Sequence, residues 1–157
     1  MDEKMLAIKS AIAAFCMAIG TFLGWKGIMA VVWVLAMALD YISGTAAACK
    51  DGKWSSATAR QGLWHKGGMI LVVAVSAIAD GIIVVIGDQL PIGFSWPGLL
   101  LPLVLAWYII TEFGSILENA VEMGTKVPSW LIKMLKISLK AVNEAGEAAV
   151  EQTEEDT

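Results

Sequence analysis

The sequence predicts an all-α integral membrane protein, with four transmembrane helices arranged as two antiparallel hairpins and a C-terminal basic amphipathic interfacial helix. Three observations lead there. Apolar blocks occupy residues 5–24, 28–49, 67–87 and 99–117. Each is about 20 residues long, enough for a helix to cross a hydrocarbon core of roughly 30 Å. If all four cross, Lys4, Lys9, Lys50, Lys53, Arg60, Lys66, Lys126, Lys133, Lys136 and Lys140 share one face of the membrane, and only Lys26 of the 11 basic residues lies on the other. Short loops rich in Lys and Arg stay inside, so both termini are expected in the cytoplasm. Composition agrees: 57% of residues are hydrophobic, 17% are charged, and mean hydropathy is +0.69. A soluble domain of this length does not bury so much uninterrupted apolar surface.

The first block reads as a span rather than a cleaved signal peptide. It lacks a small-residue cleavage site, and a second apolar block follows within a few residues. Gly24-Trp25-Lys26-Gly27 then predicts a tight turn joining blocks one and two. Trp25 suits the interfacial belt, and Lys26 can snorkel at its edge. Gly20 and Gly24 have the GxxxG spacing that lets helices approach closely, here in ordinary packing. With the turn centred there, Lys9 comes within a turn of Asp40 and is expected to neutralise it.

The second connection, residues 50–66, is basic and interleaved with Trp54, Trp64 and His65. Between two membrane blocks this pattern predicts anchoring on an anionic leaflet rather than nucleic-acid binding. The third connection carries Pro91, Gly93, Pro97 and Gly98, which break helices, with Phe94 and Trp96 for the interface. Pro102 falls near the first turn of the fourth block, where a missing N–H is tolerated. Beyond Gly124, Pro128 stands at the start of another helix. There Lys133, Lys136 and Lys140 share one face opposite Leu131, Met134, Leu135 and Val142, as expected of a helix lying along the cytoplasmic leaflet. The last 15 residues hold six acidic residues and no Lys or Arg. Without them the chain is net positive rather than −4. The expected organisation is a membrane domain at residues 1–126, the amphipathic helix at 127–142, and a solvated, poorly ordered or weakly helical acidic tail at 143–157.

Asp40, Asp80 and Glu112 lie within apolar blocks, where a carboxylate is costly unless paired, protonated or facing water. They are expected at helix contacts or along a polar path. Neither aspartate has the surroundings of an intramembrane aspartyl protease. His65 has no ligand-spaced partner, and no phosphate loop or nucleophile elbow is present. No catalytic, metal or cofactor site is expected. Cys16 and Cys49 read as small buried residues rather than a disulfide. Glu112, Ser115 and Asn119 recur at three- and four-residue spacing, a polar stripe expected to organise an oligomer or the cytoplasmic mouth of a pore. Glu118 is placed to meet Lys66 or His65.

The order of these motifs is distinctive. Asp40-Tyr-Ile-Ser-Gly44 closes the second block, Gly62-Leu-Trp-His-Lys66 precedes the third, and Asp80 lies late within it. The fourth block contains Glu112 followed by Ser115-Ile-Leu-Glu-Asn119, with Gly124 and Val127-Pro128 after it. From about residue 24 to 135 this resembles the phage-lysis and toxin-secretion holin family of Gram-positive phages and clostridial toxin loci. Thr111, Phe113 and Gly114 depart from that family's usual residues. The resemblance implies a homo-oligomer in the cytoplasmic membrane that opens timed lesions, releasing an endolysin or a toxin. It implies no enzymatic activity. The alternative is a small ion or solute channel or transporter using Asp40, Asp80 and Glu112; the absence of an inverted repeat weakens the transporter version.

Overall fold

A computed structural model describes the backbone of residues 3–89 and 96–155, and the side chains of residues 24–87, 89 and 96–152. The side chains of Lys9, Cys16 and Gly20 lie outside the described residues, as do Pro91, Gly93 and Phe94. Among the described residues every regular element is α-helical: α1 is Glu3–Lys50, α2 Ser56–Gln89, α3 Leu100–Glu122 and α4 Ser129–Glu155. Three segments, Gly24–Lys50, Ser56–Gly87 and Leu100–Glu122, are long and apolar enough to cross a membrane.

The expected four-residue turn between the first two blocks is a break at one residue. Gly24 alone leaves helical geometry, at φ 63° and ψ −176°, and the helix resumes at Trp25. The second connection also contracts. Ser55 accepts the Thr58 N–H at 3.1 Å and so caps α2. The helix therefore begins 11 residues before the third apolar block, and Arg60, Trp64, His65 and Lys66 are helical. At the other end, α3 closes in a Schellman motif. The Thr125 N–H reaches Ala120 O at 2.9 Å and the Gly124 N–H reaches Val121 O at 2.8 Å. Gly124, at φ 94°, supplies the left-handed residue that this motif needs.

α3 is the central helix, packed against α1, α2 and α4, whereas α1 and α2 barely touch each other. The second half of α1 runs parallel to α3, with Lys26 level with Gly98 and Lys50 level with Glu122. α2 runs antiparallel to α3, with Lys66 level with Glu112 and Asp80 level with Leu100. This up-down-up order is the one expected of consecutive spans. The core is small: Leu105 is wholly buried between Trp33, Met37 and Met69, and the Trp33 ring stacks on Tyr108 with centroids 6.1 Å apart. Outward faces are apolar as well, with Leu35, Ile42, Leu71, Val75, Ile78 and Val85 all exposed. A helix apolar all round belongs in lipid.

Two expectations are corrected here. Cys49 is exposed and free rather than buried, because the last turn of α1 presents it away from α3. The helix expected to lie along the cytoplasmic leaflet, α4, instead packs against α3. It folds back antiparallel along α3, with Ile132, Leu135 and Leu139 beside the C-terminal half of α3 and Val142, Gly146 and Val150 beside Leu103, Val104 and Trp107. Its apolar face finds a partner in the exposed side of α3. The helix also continues without interruption through the acidic segment to Glu155.

Candidate functional site

The carboxylates that the apolar blocks contain gather at two levels of the bundle. At the end where α2 begins, Lys66 donates to Asp40 Oδ2 at 2.9 Å and to Glu112 Oε2 at 2.6 Å. One ammonium thus holds carboxylates from two other helices. Glu112 is 4% exposed, so its charge depends on this pairing. Asn119 completes the network from about two turns further along α3. Its amide donates to Asp40 Oδ1 at 3.1 Å and to Ser43 Oγ at 2.9 Å, while Ser43 Oγ donates to Asp40 O at 3.1 Å. Gly44 gives Asn119 room: a Cβ there would touch its amide nitrogen at 3.4 Å.

Among the described residues Asp40 is paired with Lys66, across 26 residues; Lys9, the partner expected from the hairpin register, lies outside the described residues. Both Asp40 carboxylate oxygens are occupied. The polar stripe on α3 is present, but Glu112 and Asn119 turn toward α1 and α2 of the same chain. Ser115 and Glu118 line a cleft of 330 Å³ that opens beside the network, together with Tyr41, Trp54 and Thr58. Glu118 is exposed and makes no ion pair among the described residues, since Lys66 is engaged elsewhere.

At the opposite end, Asp80 caps a helix that is not its own. Leu99, at the N-cap of α3, has no side chain able to cap. Asp80, reaching over from α2, accepts the Leu100 N–H at 3.0 Å and the Leu101 N–H at 2.9 Å, and Trp96 Nε1 at 2.7 Å. A carboxylate at a helix N-terminus answers both the orphan N–H groups and the macrodipole. Lys26 donates to Gly98 O at 2.7 Å rather than snorkelling away, and sits over the Trp25 ring. The C-terminus of α3 is served in the complementary sense: Lys50 donates to Glu122 O at 2.9 Å. Both ends of α3 thus receive the charge they favour, each from a neighbouring helix.

This constellation pins helices together; none of it forms a nucleophile–base pair. A family model described as the bacteriophage holin family matches residues 17–140. The chain belongs to the bacteriophage holin family. It is accordingly a multi-pass membrane protein of a pore-forming, non-enzymatic family with a phage-type holin role. An uncharacterized protein of Listeria innocua is 30% identical over 132 residues, covering 84% of this holin and 86% of that relative. Another, of Listeria monocytogenes, is 31% identical over 130 residues, with 83% and 85% covered. An uncharacterized protein of Halalkalibacterium halodurans is 26% identical over 130 residues, with 83% and 92% covered. No solved structure matches the chain.

Lys66, Lys26, Lys50 and Trp96 are the network members that sequence reasoning left without these roles. A cation at the edge of an apolar block facing a block that carries an unpaired carboxylate is the signal that could have found Lys66.

Proposed function

We propose that this chain assembles into homo-oligomers in the cytoplasmic membrane of a bacterial host and opens timed lesions that release an endolysin or a toxin. Membership of the holin family, matched over residues 17–140, carries this reading. The packing of the bundle supports it. Leu105 fills the centre of the protomer, so a path wide enough for a folded protein has to form between copies. The end bearing Lys50, Lys53, Arg60, Lys66 and Lys126 faces the cytoplasm, as the bias of short basic loops directs. The first apolar block completes a fourth span and brings the N-terminus to that side, whereas α4, folded back along α3, carries the C-terminal residues toward the other end.

Within this reading, the network of Asp40, Lys66, Glu112 and Asn119 holds each protomer in its closed packing until the lesion forms. Its test is inducible expression beside a cytoplasmic endolysin. Abrupt escape of the folded enzyme at a reproducible time is expected. Selective ion flux with proteins retained would establish a channel instead and overturn the proposal. Impermeant labelling of a cysteine at position 3 in intact cells, in a background lacking Cys16 and Cys49, would overturn the four-span arrangement.

A further inference from the structure

α4 runs for 27 residues, about 40 Å at the usual rise, which exceeds a hydrocarbon core of roughly 30 Å. Ile132, Leu135, Leu139, Val142, Gly146 and Val150 seat it lengthwise on α3, a candidate span. Its exposed face carries six charges in a single stripe: Lys133, Lys136, Lys140, Glu144, Glu147 and Glu151. Their spacing of three and four residues keeps them on one side of the helix. From Lys133 to Glu151 the stripe covers about 27 Å, nearly the whole depth of the core. Among the described residues its one ion pair joins Lys140 to Glu144 at 3.3 Å.

Four surroundings compete for the stripe. Hydrocarbon is excluded, because six charges facing lipid tails would be prohibitive. The cytoplasmic leaflet would solvate the stripe only after α4 left α3 and bared the face that Ile132, Leu135 and Leu139 cover. An anionic surface would also repel its glutamate half. A second α4 in dry contact fails for a different reason. All copies insert with the same end toward the cytoplasm, so neighbouring α4 helices run parallel. Lysine would then meet lysine, and glutamate would meet glutamate, at every level. Water remains. We propose that α4 lines the water-filled path between copies, with its apolar face seated on α3 and its charged stripe turned to the water. Like charges on facing copies then stand apart, screened beyond about 10 Å. The lysines lie toward the cytoplasmic mouth of the path and the glutamates toward the far mouth.

This lining rests on the proposed assembly of copies around a path. Two measurements on the full chain, in a background lacking Cys16 and Cys49, test it in membranes taken after lysis begins. The first is linkage by a short bismaleimide in Val104→Cys/Val150→Cys and, separately, in Leu103→Cys/Glu147→Cys. These four positions line one cleft between α3 and α4. Val104 lies about 27 Å along α3 from Glu122, so an α4 resting on the leaflet would keep each pair beyond reach. Both links are expected. The second is reaction with a charged, impermeant methanethiosulfonate. Single cysteines replacing Lys140, Glu144 and Glu147 should react at least about tenfold faster than those replacing Val142 and Gly146, which face α3. Absence of both links, or a stripe that reacts no faster than the seam, would overturn the lining. Lys140→Leu/Glu144→Leu/Glu147→Leu should stop endolysin escape, whereas Lys140→Glu/Glu144→Lys, which keeps the charges, should retain it. Both links and a fast-reacting stripe in membranes that pass ions but hold endolysin would support a water-lined path while counting against the holin reading. The two failures are therefore distinguishable.

Discussion

Lys66 lies 2.6 Å from Glu112 and ties the start of α2 to the middle of α3. The same ammonium reaches Asp40 on α1, so three helices meet at one nitrogen. Lys66→Met leaves two carboxylates without their cation and should destabilise the fold by about 3–5 kcal/mol, the usual cost of breaking a buried pair from one side. Combining it with Asp40→Asn and Glu112→Gln should recover most of that loss. Unfolding in mixed micelles, followed by circular dichroism, measures both. A triple variant no more stable than Lys66→Met would show that the network is not an ionic unit.

Asp80→Ala removes the acceptor for two α3 amides and the Trp96 indole. The expected cost is about 1–3 kcal/mol, because the donors stay in place without a partner. Hydrogen exchange at Leu100 and Leu101 should quicken more than exchange in the middle of α3. Equal acceleration throughout α3 would mean that Asp80 supports packing rather than the cap.

Gly98 sits at φ 70°, and a Cβ there would fall 2.6 Å from Lys26 Nζ. Gly98→Ala meets two obstacles together, a left-handed backbone that costs roughly 1–2 kcal/mol for other residues and displacement of a cation. Lys26→Met relieves only the second. The double variant should therefore be more stable than the sum of the two single losses predicts, and a double-mutant cycle in the same unfolding assay reads that difference.

Asn119→Leu deletes the hydrogen bonds that Asn119 donates to Asp40 and Ser43, while leaving an apolar helix that should still insert. Membrane levels should match the parent, and the onset of lysis should shift. Glu112→Gln should act in the same direction. Unchanged onset in both would remove the network from the timing of the lesion.

Much of the fold was legible because hydrophobic blocks of span length report helices directly, and charge bias reports their order. The three costly carboxylates were equally visible, and each turned out to mark a helix–helix contact. Their partners were not. The hairpin register that suggests Lys9 for Asp40 concerns a side chain outside the described residues, whereas Lys66 reaches Asp40 from a helix whose rotation no local pattern states. Asp80 acts 20 residues away on another helix's first turn, so no capping signature surrounds it. The amphipathic pattern of α4 revealed which face is apolar, but leaflet and neighbouring helix both satisfy that face, and the lengthwise packing on α3 depended on a third dimension.

Lys26 meets Gly98 and Lys50 meets Glu122 with the same separation of 72 residues. The two bolts are 24 residues apart along α1, about 36 Å at the usual rise, and join it to Gly98, two residues before α3, and to Glu122, the last residue of α3. Neither helix can slide past the other without releasing both. The two contacts therefore fix the register of α1 against α3 over a length somewhat greater than a hydrocarbon core of roughly 30 Å.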